Sequence, residues 1–388
     1  MKNIMGPPVQ GADFFGRTTE SNFAWKRIEN GNNLTLAAPR RVGKTSFALN
    51  LLHIAKDKGW NTVSINLEKI STEHQFIELF IDHLKELSWW DKVKDKGNKF
   101  LSYFTKIKPA ISYGDVKVDL TWESQKQDIY KQLSGLLDHS ENTLIFFDEL
   151  TILLASIINN GEEGQKNVRA FLHWLRDIRI TTGSKIRWVY CSSVGIDNFT
   201  HKYGISDALN DIHYFTLKSF GKEESIKMLE ILAHSNNLPL TKALSTAVVK
   251  KIDYCIPFFL QILFGKIHYL VEVEKTPLKT TIIDTAYALL IEENHFNTWV
   301  ERINEQYTDD TTYAFRLLKH LCQAKEGAAR EVLINLLVLF PPDPDRTEEI
   351  CSSLLYRLQN DGYLMEEDGL YKFRSPLLRD FWFNRFVK

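Results

Sequence analysis

Short apolar runs bounded by turns alternate, in the first half of the chain, with longer stretches in which apolar residues recur every three or four positions. Leu34 and Leu36 lie in a first extended run, and Phe47, Leu49, Leu51 and Leu52 lie in the amphipathic stretch that follows it. A strand is expected over Thr62 to Leu67. A helix from about Glu73 to Leu87 follows, with Phe76, Leu79, Phe80 and Leu84 on one face. A helix from about Ser124 to Leu137 leads into Leu144-Ile145-Phe146-Phe147, an unbroken apolar run that closes on Asp148 and Glu149. Such a run reads as a central parallel strand buried on both faces. Gly161 to Gly164 reads as a loop, Val168 to Arg179 as a helix and Ile186 to Cys191 as a further strand. Strands alternating with helices predict a parallel sheet flanked by helices.

After Phe215-Thr216-Leu217 the pattern becomes helical, from about Lys222 to Ala288, with breaks at Pro239 and Pro257. From about Tyr313 three helices are expected, then a hairpin turning at Glu367-Asp368-Gly369, then a helix opened by Pro376. Helix, helix, helix and a two-stranded wing is a winged-helix layout.

The 388 residues are too many for one core. Hydrophobic residues make up 44% and charged residues 25%, as in a globular protein that keeps to water. A net charge of −1 gives no push toward nucleic acid or an anionic membrane. Cys191, Cys255, Cys322 and Cys351 are far apart and form no C-x-x-C, so buried free thiols in a reducing cytosol are expected. No secretory leader is evident, and the longest apolar stretches are too short to span a bilayer. The expectation is a cytoplasmic protein with no membrane partner.

Between the first strand and its helix stands Ala38-Pro39-Arg40-Arg41-Val42-Gly43-Lys44-Thr45-Ser46. Backbone N–H groups at a helix start face phosphate, Gly43 allows close approach, Lys44 reaches the β/γ-phosphates and the Thr45 hydroxyl takes a Mg²⁺ position. Ala38 replaces the first glycine of the motif, which suits it only if φ there is negative. Asp148, at the carboxyl edge of its strand, is placed to hold the Mg²⁺ shell. Glu149 is placed to orient or deprotonate an attacking water, which argues for hydrolysis. Ser192 and Ser193, after the Ile186 strand, are either a polar sensor of the γ-phosphate or ordinary turn residues. Residues 88–113 interleave Lys92, Lys94, Lys96, Lys99, Lys106 and Lys108 with Trp89, Trp90, Phe100, Tyr103 and Phe104. This composition suits a nucleic-acid groove, and equally a solvated insertion anchored by its rings.

Phe15-Gly16-Arg17, A-P-R-R-V-G-K-T, F-F-D-E-L, C-S-S-V-G-I and the tail F-R-S-P-L-L-R-D, in that order, resemble the archaeal-type ATPases. These are P-loop signal-transduction ATPases with numerous domains, related to the AAA+ proteins. The resemblance implies a P-loop ATPase domain over 1–215, a helical lid over 216–288 and a winged-helix domain over 289–388. It places Phe15, Gly16 and Arg17 at the adenine, Ala38 to Ser46 at the phosphates, and Thr45 and Asp148 at Mg²⁺. Glu149 falls at the attacking water, Lys44 at the transferred phosphoryl group and Ser193 at the sensor position. Pro257 matches the proline of the family's Gly-Gly-x-Pro lid element, although both glycines are replaced. Arg40 and Arg41 pair either with phosphate or a neighbouring subunit, or with solvent or the lid.

The implied activity is ATP binding and slow hydrolysis, acting as a switch that signals through a protein partner or through self-association. A nucleic-acid-binding AAA+-like ATPase is the alternative. From Asp345 onward seven Lys/Arg stand against eight Asp/Glu, a balance that disfavours tight phosphate-backbone binding by that domain. A scaffold that holds nucleotide without turnover is a third reading.

Overall fold

The computed structural model describes residues 1–106, 117–181, 185–192, 196–338 and 346–388. The chain forms two compact units. One comprises Arg17–Ala37 and Lys44–Thr216; the other comprises Met1–Gly16, Ala38–Gly43 and Leu217–Lys388.

The first unit is built on β1 (Asn33–Ala37), β2 (Asn61–Asn66), β3 (Thr143–Asp148), β4 (Ile186–Cys191) and β5 (Ile212–Thr216), in the order β2-β3-β4-β1-β5. All the pairings are parallel. β3 is buried along its whole length, as its unbroken apolar run predicts, and so is β4, although Arg187 interrupts its run. Alternate side chains divide between two faces. Ile145, Phe147, Ile186, Trp188 and Tyr190 join one large core with Phe76, Phe80, Phe171 and Trp174 of the helices Glu73–Leu84 and Gly164–Thr181. The helix Lys44–Asp57 packs along β2, β3 and β4. Thr72 caps Glu73–Leu84 by accepting from Gln75 N, which fixes the start of that helix.

The basic and aromatic segment resolves in favour of an anchored insertion. Trp89, Trp90, Phe100 and Phe104 are buried in the same core, so these rings are unavailable to stack on bases. Lys92, Lys94, Lys96 and Lys99 are exposed; Lys92 pairs with Glu141 and Lys96 contacts His139. Lys108 and the side chains of Tyr103 and Lys106 lie outside the described residues.

In the second unit four helices follow one another: Lys222–Ser235, Lys242–Ile252, Pro257–Glu272 and Thr281–Glu292. Pro257 opens its helix at the first turn instead of interrupting one. Beyond the helix Asn297–Gln306 come Thr311–Leu321, β6 (Ala328–Ala329), Arg330–Val338, Thr347–Asn360, β7 (Leu364–Glu367), β8 (Leu370–Phe373) and Pro376–Phe386. The hairpin pairs Leu364 with Phe373 and Glu367 with Leu370, and β6 adds a third antiparallel strand against β8. The short strand β6 is one that the sequence pattern does not reveal. Ser375 caps the last helix by accepting from Leu378 N.

Candidate nucleotide site

Lys44 and Thr45 occupy the first turn of the helix Lys44–Asp57, where backbone N–H groups lack intrahelical partners. Lys44 is 8% exposed, its charge held close to the helix start. The Thr45 hydroxyl donates to Asp148 Oδ2 at 2.9 Å, so the two segments set far apart in sequence meet. Asp148 ends β3, adjacent in the ladder to Cys191 of β4, which in turn faces Leu36 of β1. Its second oxygen, Oδ1, is buried and has no hydrogen-bond partner. Burial, with Glu149 next to it, raises the Asp148 carboxyl above its ordinary pKa, against the opposing pull of the Thr45 bond. A hydroxyl, a carboxylate and an orphaned buried carboxylate oxygen together suit a hard divalent cation such as Mg²⁺. No cluster of three or more His, Cys, Asp or Glu that could hold a metal stands among the described residues, here or elsewhere.

Glu149 starts the next helix, Leu150–Ile158, as its N-cap in the left-handed region at φ +60°. Its N–H donates to Cys191 O at 2.8 Å, which holds the carboxylate-bearing residue at the mouth of β4. A non-glycine residue in that region costs about 1–3 kcal/mol and persists where its surroundings over-determine it. Ser192 Oγ accepts from Thr151 N at 3.1 Å, a capping role for that helix. Ser193 lies outside the described residues.

The loop 38–43 packs with the second unit. Positive φ occurs at Arg41 (+65°) and Gly43 (+96°) and not at Ala38, so alanine carries no backbone penalty at the first motif position. The left-handed step falls instead on Arg41, which sequence inspection had no means to single out. Arg40 Nη1 donates to Thr298 O at 3.2 Å. The Arg41 guanidinium lies 4.6 Å from the ring centre of Phe258 and donates to Gly6 O at 3.4 Å. Phe258 directly follows Pro257, so the loss of the family's two glycines does not part this helix start from the loop. Pro39 lies against Gly362, two residues before β7. Val42 is buried.

Phe15 meets Phe220 edge-on at 5.8 Å between ring centres. Gly16 has φ +69°, a left-handed conformation that favours glycine, and a β-carbon there would displace the end of the Glu224 side chain, 2.3 Å away. Arg17, also left-handed, starts the helix Thr18–Glu29 and donates to Glu20 Oε1 at 3.1 Å. Gly16 and Arg17 are therefore held by sterics and an ion pair, which a motif alone does not convey.

No protein-family model matches the chain. An uncharacterized ATP-binding protein of Methanocaldococcus jannaschii is 24% identical over 224 residues, which span 52% of this chain and 58% of that protein. The match therefore leaves more than a third of that relative uncovered. Among solved structures, the Walker-type ATPase of Pyrococcus abyssi superposes with a TM-score of 0.65 at 18% identity, covering 98% of this chain and 99% of that one. The ORC2 protein of Aeropyrum pernix, solved with ADPNP and ADP, gives a TM-score of 0.53 at 11% identity over 96% of this chain and 95% of its own. Motif, topology and likeness over nearly the whole length agree: this chain has the fold of the Walker-type ATPase of Pyrococcus abyssi, a P-loop ATPase fold.

Proposed function

We propose that the protein binds ATP with Mg²⁺, hydrolyses it slowly, and acts as a nucleotide-dependent switch read by a protein partner or by a second copy of itself. The observation that carries this reading is the Thr45–Asp148 hydrogen bond of 2.9 Å, beside Lys44 and Glu149. Lys44 binds the β/γ-phosphates; Thr45 and Asp148 are the residues that would hold Mg²⁺, which neutralises charge on the phosphate oxygens when bound. Glu149 orients the attacking water and accepts its proton. Residues 38–43 of the phosphate loop contact Thr298, Phe258 and Gly362, which supports a reading in which nucleotide state alters those contacts. A ligand moves such an equilibrium only through different contacts in its two states.

Phosphate release by wild type and by Glu149→Gln, each with and without captured partner, tests the proposal. Glu149→Gln is expected to retain ATP and to lose about 10²-fold or more in turnover, the scale of general-base catalysis. Equal and equally slow release by both proteins, partner present or absent, would leave only a nucleotide-holding scaffold. Affinity capture with Glu149→Gln under ATP, beside wild type under ADP, then reports whether nucleotide state governs the contact.

A further inference from the structure

The helices Lys117–Leu137 and Gly164–Thr181, both of the first unit, leave a groove of ≈ 550 Å³ between them. Its walls run from Gln127 to Asp138 and from Ala170 to Thr181, each set spaced alternately three and one apart. That spacing is a single helix face about three turns, or about 16 Å, in length. The groove is preformed. Tyr130 stacks on Trp174 with ring centres 4.3 Å apart, and the Trp174 indole N–H donates to Ser134 Oγ at 3.2 Å, which locks the two helices together at its floor.

Gly135 stands in this groove, exposed and inside the helix Lys117–Leu137. Glycine is the poorest helix former after proline. Nothing within the chain requires it here: its φ is not left-handed, and a β-carbon would meet nothing within 4 Å. What the missing side chain permits is the close approach of another backbone from outside.

The charge in the groove is self-complementary. Lys131 lies one turn before Gly135, and Asp138 lies one turn after Ser134, its N–H bonded to Ser134 O at 3.1 Å. Ser134 and Gly135 therefore fall midway between the two charges. Neither Lys131 nor Asp138 has an ion pair or a side-chain hydrogen bond among the described residues. On the facing helix, by contrast, Arg169, His173 and Arg176 all pair with Asp207 or Asp211. An isologous contact sets residue i of one copy on residue j of the other, and j on i. Antiparallel helices crossing at Ser134 and Gly135 satisfy that condition, because Lys131 of each copy then meets Asp138 of the other.

We propose that this groove is the contact between two copies of the chain. The helix Lys117–Leu137 of each copy seats antiparallel in the groove of the other, crosses at Ser134 and Gly135, and is flanked by two Lys131–Asp138 ion pairs. With the two Gly164–Thr181 helices this makes a four-helix bundle. The inference deepens the self-association in the reading above and rests on that part of it, not on the nucleotide chemistry.

The test measures the mass of the full-length protein in solution, by light scattering and sedimentation over a range of concentrations. The samples are wild type, Lys131→Glu, Asp138→Lys, Gly135→Trp and an equal mixture of the two charge variants. Wild type is expected to be a dimer that gives way to monomer on dilution. Each charge variant sets like charges against each other twice and should dimerise about tenfold or more weakly. Their mixture recovers two opposite-sign pairs and should recover the dimer, as a heterodimer. Gly135→Trp should be monomeric with its helix content unchanged by circular dichroism. Should it fail to fold, the charge variants, at exposed positions, decide alone. Wild type that is monomeric at every concentration overturns the proposal, and the groove then belongs to a different protein. A dimer that every variant leaves intact overturns it too, as do charge variants whose mixture stays monomeric. The nucleotide reading falls on a different result, the failure of the protein to take up ATP with Mg²⁺.

Discussion

A β-carbon placed on Gly362 would stand 2.5 Å from the β-carbon of Pro39, well inside van der Waals contact. Gly362 also has φ +89°, so alanine there meets both backbone strain and a collision with the phosphate loop. Gly369, at φ +78° with nothing within 4 Å of its would-be β-carbon, separates the two effects. Gly369→Ala should cost about 1 kcal/mol, the backbone term alone. Gly362→Ala should cost more, about 2–4 kcal/mol, and should weaken nucleotide binding, since relief requires the loop to shift. Urea titration and nucleotide titration of both variants check this; equal effects would show that Pro39 yields freely.

Arg179 has a fully enclosed side chain, and its hydrogen bonds end on Asp211, Ala208 and Tyr190. Arg179→Met leaves Asp211 only the longer contact with Arg176 and is expected to cost about 3–5 kcal/mol. Chemical denaturation of Arg179→Met beside wild type checks this.

Much of the architecture was legible because its cause is local. The apolar run closing on Asp148, the Gly-Lys-Thr turn, the Pro376 helix start and the Glu367-Asp368-Gly369 turn each express a rule that acts over a few residues. What escaped is long-range. The two-residue strand Ala328–Ala329 exists only because β8 offers it a partner. For the lysine-rich segment, composition offered both a nucleic-acid groove and an insertion anchored by its rings, and only the long-range burial of four of those rings separates the two. At the phosphate loop the motif located the residues but not the conformation, which puts the left-handed step on an arginine.

Trp89 is wholly buried, and its indole N–H donates to Thr143 Oγ1 at 3.3 Å, joining the insertion to the start of β3. Trp89→Ala should cost about 3–5 kcal/mol, as large-to-small core changes do. Lys94→Glu and Lys99→Glu, both on exposed positions, should stay within about 0.5 kcal/mol of wild type. Melting curves of the three variants check the assignment. Filter retention of single-stranded DNA at low salt is expected to be absent, because the rings that would stack on bases are inside.

The thiols give a pH dependence on the alkaline side. Burial pushes Cys322 and Cys351 up to about 11, while an unfolded thiol titrates at about 8.5. The fold favours the neutral thiol, so this contribution is complete below about pH 8.5 and is lost as pH climbs toward 11. The buried phenol of Tyr307, raised by its enclosure and then by Asp361, acts in the same sense. The melting temperature should therefore fall from about pH 9 upward. Ellman's reagent at pH 8 should find no reactive thiol until denaturant is added, since all four cysteines are buried. Rapid labelling of the native protein would contradict both expectations.

Cys191 is in register with Leu36 on one side and with Asp148 on the other, which makes β4 a ruler shared by the phosphate-loop strand and the acidic strand. The gap between those strands is thus two ladder spacings, roughly 9–10 Å, set by peptide geometry and not by any connecting segment. Insertions or deletions in the turn around 159–163 should leave that gap as it is. A single residue added within β4 would shift every rung of it. Engineers grafting new surface segments onto this scaffold have freedom in its connectors and none in its middle strand.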